Sequence, residues 1–205
     1  PGADCTYDAL YSFGGRSFTI WNAETGEPVF DSGNQFEVIT ASRLGDDFNA
    51  TNDENGGDDR SDDKGPEPEA IEIGTLEGRT YAFIGLERVG GIMVYDITDP
   101  MAPMFVEYTN NRDFSIDPEL EGHGDSGPEG LVFIPAGDSP NGQNLLVVSN
   151  EVSGTVTVYS AGEAAQPFTL GIFHNNDGES DMLGDSIEYQ GEMILAGSVA
   201  QFKTT

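Results

Sequence analysis

The densest chemistry in this sequence lies between residues 46 and 69, where ten carboxylates stand among Asn49, Asn52 and Asn55. Hard cations such as Ca²⁺ take six to eight oxygens from carboxylates, amide side chains and backbone carbonyls. Gly56, Gly57 and Gly65 would let the backbone bend round such an ion. The spacing is not that of an EF-hand loop. The candidate calcium ligands are Asp53, Asp58, Asp59, Asp62, Asp63, Glu67 and Glu69. A solvated acidic loop is the plainer reading of any such run. Two details favour an ordered site: Arg60 and Lys64 are embedded among the acids, and Glu69 opens an apolar strand. A second constellation is Glu69 with Glu129, each following a proline in the related stretches Pro68-Glu69-Ala70-Ile71 and Pro128-Glu129-Gly130-Leu131. Two readings stand for this pair: carboxylates facing a central channel, where they would hold an ion or a substrate, or a turn that only launches a strand.

The elements that must position these acids are strands. Apolar segments are short and alternating, as in residues 17–21, 81–85, 91–95 and 155–159, and clusters of Gly, Asn, Asp and Pro separate them. Period-two patterning rich in β-branched and aromatic residues reads as strand. No stretch before residue 185 carries a helical period. The segments repeat: a strand, a short Gly-containing hairpin, a strand ending near an aromatic residue, then a polar turn. The aromatic landmarks Trp21, Tyr95 and Tyr159 lie 74 (21 to 95) and 64 (95 to 159) residues apart. Propeller repeats run to ~40–50 residues, so polar insertions at 44–66 and 110–127 account for the excess. The predicted fold is mostly β, a partial β-propeller of about three blades, with a β-sandwich as the competing architecture. Three blades cannot close a ring. The chain is therefore expected to be a piece of a longer polypeptide, its propeller completed by the remainder of that polypeptide or by other copies.

Composition bounds the partners. With 8 Lys+Arg against 37 Asp+Glu in 205 residues, the net charge is −29. Such a surface repels nucleic acid and anionic membranes, attracts cations, and suits a marine or halophilic setting where salt screens self-repulsion. Aromatic residues at 10% and hydrophobic residues at 37% separate the chain from acidic disordered sequences. No apolar run is long enough to span a membrane. Pro1 opens the chain without a signal peptide's features, so any such peptide is expected to have been removed. Cys5 is the single cysteine, either a buried thiol or one with a partner outside this segment.

Residues 17–23, 29–33, 58–69, 81–100, 110–114, 127–131 and 150–155 together resemble the choice-of-anchor I family, over about residues 8–160. The resemblance implies a secreted or surface-anchored propeller domain, often found beside phosphatase or nucleotidase domains, in a family with no defined activity of its own. On this basis residues 1–160 are propeller blades with the acidic insertion at 44–69. The small-residue stretch 161–167 reads as a linker.

Beyond it, the apolar strand ending in His174-Asn175-Asn176-Asp177 resembles the opening of the 5′-nucleotidase type of metallophosphoesterase. That resemblance makes residues 168–205 the first elements of an α/β domain, with a helix expected near Ile194–Phe202. It makes Asp177 a ligand of a divalent metal pair that would activate water against a phosphate ester. Glu179 stands where that family has histidine, and as a carboxylate it is the second candidate ligand. The alternative is one more blade. With only His123 and His174 in the chain, no complete catalytic centre is present.

Three functions follow. The first is a calcium-binding propeller segment of a secreted or surface-associated phosphoesterase. The second is a non-catalytic extracellular surface or matrix protein that contacts protein or glycan. The third is a propeller hydrolase using its channel carboxylates with Ca²⁺, as propeller phytases do.

Overall fold

A computed structural model describes residue 9, residues 13–162, and the strand at 195–203. Among these residues it is mostly β, with three antiparallel sheets and one short α-helix.

Strands β1 (Thr19–Trp21) and β2 (Pro28–Asp31) form a hairpin. Its turn is organised by the Asn22 side chain, whose Oδ1 accepts the backbone N–H groups of Glu24 and Thr25. Helix α1 (Gln35–Leu44) follows, where no helix was expected. Val38, Ile39 and Thr40 are β-branched and argue locally for strand. Phe36 and Thr40 are nevertheless one turn apart and buried, with Ile39 and Leu44 beside them, and this burial decides the conformation. Gly45, at φ 59°, ends the helix in a backbone region that L-residues avoid.

The first four-stranded sheet is β3 (Pro68–Leu76), β4 (Arg79–Leu86), β5 (Ile92–Asp96) and β6 (Met104–Thr109), hydrogen-bonded in chain order. The second is β7 (Pro128–Ile134), β8 (Asn144–Asn150), β9 (Thr155–Ala161) and β10 (Leu195–Lys203), again in chain order. Strand β10 pairs antiparallel with β9, so the stretch expected to be a helix is a strand of this sheet. Backbone hydrogen bonds with β9 give it a sheet edge to extend, as β6 extends β5.

The repeat read from the sequence holds at the level of register. Pro68 pairs with Leu86 and Ala70 with Gly85, leaving Glu69 in a bulge. Pro128 pairs with Asn150 and Gly130 with Ser149, leaving Glu129 in the same bulge. The bond from Glu87 N to Glu67 O (2.9 Å) is matched by that from Glu151 N to Gly127 O (2.8 Å). Glu67 and Gly127 both adopt positive φ, at 55° and 74°. Where the second unit has glycine, the first holds a glutamate in a conformation that costs about 1 kcal/mol or more.

Two apolar clusters form the core. Between the four-stranded sheets lie Phe83, Ile92 and Val94 of the first and Leu146, Val148 and Tyr159 of the second, all buried. The Phe83 and Phe133 rings stack with centroids 5.8 Å apart. A Cβ on Gly74 would lie 2.7 Å from the Phe133 ring, so glycine there allows the sheets to approach. On the far side of the first sheet, Ala82, Ile84, Met93 and Tyr95 pack against Phe18 and Phe36. Tyr95 Oη donates to Gln35 Oε1 at 2.9 Å, tying the helix to the sheet. Trp21, the first of the three aromatic landmarks, is 60% exposed, and Phe18 packs on Tyr95 instead, with centroids 4.9 Å apart. Among the described residues the first unit is a two-stranded hairpin with a helix; residues 10–12, which open the first repeat read from the sequence, lie outside them.

Candidate functional site: paired carboxylates at the sheet bulges

The acidic insertion is held by the chain's few cations. Arg16 reaches it through Glu37 Oε1 (2.6 Å) and the carbonyls of Ser61 (2.7 Å) and Asp63 (2.8 Å). Arg112, buried, donates to Glu54 O (3.1 Å) and Asn55 Oδ1 (2.8 Å) and lies 4.6 Å from the Phe114 ring centroid. Three more converge on Glu67. Arg60 Nη2 lies 3.2 Å and Arg88 Nε 2.8 Å from its Oε2, and Lys64 Nζ pairs with its Oε1. Burial alone would raise the Glu67 pKa, but Lys64 and Arg88 outweigh it and hold the carboxyl below its ordinary value. The ion pairs thereby offset the positive φ of this residue.

Among the described residues, Glu67, Glu69 and Glu87 form the one group of three carboxylates with oxygens within 4.8 Å of one another. The bulge turns Glu69 outward, and Glu87 is the first residue beyond β4, its N–H bonded to Glu67 O. Glu87 is 4% exposed. Its Oε1 accepts from Asn52 Nδ2 (3.3 Å) and lies 3.2 Å from Arg88 Nη2. Asn52 in turn accepts from Arg88 Nη1 at 2.8 Å, so the insertion itself buttresses the site. Burial, then a hydrogen bond with the Glu69 carboxyl, pushes the Glu87 pKa up to about 7. Near neutral pH Glu87 is therefore partly protonated and donates to the Glu69 carboxyl.

The second sheet repeats this pair. Glu129 sits in the equivalent bulge and Glu151 in the position equivalent to Glu87. The Glu129 pKa is raised, first by the charge of Glu151 and also by that of Glu69. The two channel carboxylates inferred from sequence are therefore electrostatic neighbours, each with a companion. Glu87 and Glu151 were not singled out in the sequence. The signal was there, since each follows the strand that pairs with a Pro-Glu start.

The other candidate calcium ligands lie apart. Asp53 accepts from Thr51 Oγ1 (2.5 Å), Asp58 from Ser61 Oγ, and Asp63 pairs with Arg60 Nη1 (2.7 Å). Asp53, Asp58, Asp59 and Asp62 are exposed. Asp53 lines an open cleft of about 700 Å³ with Glu54, Asn55, Phe114, Ser115, Asp117, Pro118 and Glu119. Asp177 and Glu179 lie outside the described residues.

As a donor set, the bulge carboxylates suit a hard cation. Glu67 is already neutralised by three basic groups, which leaves Glu69 and Glu87, with Glu129 and Glu151 beside them, as the carboxylates with charge to offer. Ca²⁺ or Mg²⁺ would take such oxygens and complete its shell with water or backbone carbonyls.

Residues 2–100 match the choice-of-anchor I domain family. That stretch holds the hairpin, the helix, the insertion and β3 to β5, and so includes Glu67, Glu69 and Glu87. The match suggests a secreted or surface-associated protein. Gigasin-3a of Magallana gigas is 32% identical over 170 residues, covering 76% of this chain and 59% of its own length. The chain thus spans just over half of that relative. No solved structure matches. Among the described residues no helix is long and apolar enough to cross a membrane.

Proposed function

We propose that this chain is a binding module of an extracellular or surface-associated protein, built of propeller-type blades and carrying a divalent cation, Ca²⁺ first, on the bulge carboxylates. One observation carries the reading. Two sheets that repeat in register each put a carboxyl pair at the same bulge, Glu69 with Glu87 and Glu129 with Glu151. The proton that Glu87 holds against the Glu69 carboxyl occupies the place a cation would take. Above its pKa Glu87 carries a charge that faces other carboxylates with Arg88 as its one ion-pair partner, and a cation then relieves the repulsion. The cation would brace the starts of β3 and β7 against each other and leave the acidic outer surface for contact with protein or glycan.

The role is binding and support, with no catalysis by this chain. The helix expected near Ile194–Phe202 is instead strand β10, which extends the second sheet.

Thermal unfolding at pH 8 tests the proposal. Extracellular calcium modules have Kd values of about 10⁻⁴–10⁻³ M. At 10 mM CaCl₂ that range corresponds to about 1.4–2.7 kcal/mol over EDTA, a rise of several degrees in Tm. An unchanged Tm would refute the cation site. Calcium-dependent turnover of p-nitrophenyl phosphate by this chain would refute the non-catalytic role and favour a hydrolase on the channel carboxylates.

A further inference from the structure

The two four-stranded sheets repeat in how they use their faces as well as in strand order. In the first, the face of Ala82, Ile84, Met93 and Tyr95 packs against the N-terminal hairpin and helix. Its register counterpart in the second, Leu146, Val148, Thr157 and Tyr159, turns toward the first sheet. The opposite face of the first sheet, with Tyr81, Phe83, Ile92 and Val94, is at most 8% exposed because the second sheet covers it. The counterpart of that covered face is Leu145, Val147, Val156 and Val158, flanked by Val132 and Ile134 of β7. Here Val132 is 54% exposed, and Ile134, Val147, Val156 and Val158 are only partly buried. In a chain with 37 acidic residues, the residues that β7, β8 and β9 present on this face carry no charge.

We infer that this face is a seam for a further four-stranded unit of the same repeat, supplied by the same polypeptide. The inference rests on the propeller-type reading. It is carried by continuity with the seam between the two sheets already described, since the positions of β4 and β5 that face that seam are apolar at the same register in β8 and β9, and Val132 stands where the first sheet has Glu72. Area decides the source. Strands of seven residues at ~3.3 Å per residue, spaced ~4.8 Å apart, give a face of roughly 400 Å². A stable interface between separate chains buries about 800 Å² per partner. A second copy gains too little there, whereas a covalently continuous sheet avoids the entropy of association. The relative Gigasin-3a, of which this chain spans 59%, has length to spare.

The seam also restricts the arriving strand. In the first seam Gly74 leaves room for the Phe133 ring, which stacks on Phe83. At the second, Ile134 stands in the place of Gly74 and Val147 in the place of Phe83. The bulk is redistributed, so the arriving counterpart of Phe133 is aliphatic and not aromatic.

Single cysteines at Val147 and Val158, in a Cys5→Ser background, report on the seam through maleimide labelling. The comparison is between this 205-residue chain and the full-length gene product. The expected result is labelling about 100-fold slower in the full-length product, independent of protein concentration, as for a site reached only by local opening. Equal rates in the two proteins would overturn the inference. So would protection that grows with protein concentration, which would assign the face to a second copy. Hydroxyl-radical footprinting of Val147 and Val158 in the unsubstituted proteins gives the same comparison if a cysteine variant does not fold. Rapid labelling of Val94→Cys in both proteins would instead break the stacked-sheet reading itself, which separates the two failures.

Discussion

Replacing Glu87 with glutamine tests the electrostatics of the bulge pair, because the amide mimics the protonated carboxyl. The folded protein holds a proton on Glu87 up to about pH 7, whereas the ordinary value is 4.5. Between those values the folded state binds a proton that the unfolded chain has released, so stability falls as pH rises through the window and stays low above it. The span corresponds to at most about 3 kcal/mol, and screening by solvent brings the expected loss to about 1–3 kcal/mol. The variant can keep the bond from Asn52 and donate to Glu69, and it loses only the charge facing Arg88. It should match the native protein near pH 5 and exceed it by about 1–2 kcal/mol at pH 8 in EDTA. Urea unfolding at the two pH values measures both. Adding 10 mM CaCl₂ at pH 8 should raise the native protein and leave the variant nearly unmoved. Parallel pH profiles for the two proteins would refute a raised Glu87 pKa at this site.

Other consequences follow from the same contacts. Glu67→Gln leaves Arg60, Lys64 and Arg88 without their common partner, and should cost about 2–3 kcal/mol at pH 7 by chemical denaturation. That loss should shrink in acid, because the lowered Glu67 pKa means its contribution is present above the ordinary carboxylate value and disappears as pH falls through the folded one. Gly74→Ala places a methyl 2.7 Å from the Phe133 ring and should cost about 1–3 kcal/mol, with the tyrosine and phenylalanine signals of the inter-sheet core perturbed in NMR spectra.

Much of the fold was legible because strand patterning and the Pro-Glu starts are local signals. Those starts align the two sheets down to the bulge, and the bulge is what sets Glu69 and Glu129 outward. The helix at Gln35–Leu44 was not legible, since Val38-Ile39-Thr40 favours strand locally and only packing of Phe36 and Thr40 under the first sheet overrides it. The strand at Leu195–Lys203 was hidden for a related reason: its small residues satisfy a helix equally well, and the free edge of β9 decides. In the acidic insertion, sequence showed the density of oxygens but not their directions. The aspartates turn to hydroxyls, to arginine or to solvent, and the two glutamates at its end meet Glu87, which strand pairing brings from eighteen residues away (69 to 87).

Equilibrium dialysis with ⁴⁵Ca²⁺ at pH 8 addresses the central claim most directly, comparing the native chain with a Glu69→Gln/Glu87→Gln variant and an Asp58→Asn/Asp59→Asn/Asp62→Asn variant. Saturable binding with a Kd of about 10⁻⁴–10⁻³ M is expected in the native chain and the aspartate variant, and at least about tenfold weaker binding in the glutamate variant. Binding that survives loss of the glutamates and vanishes with the aspartates, or no saturable binding at all, would contradict the claim.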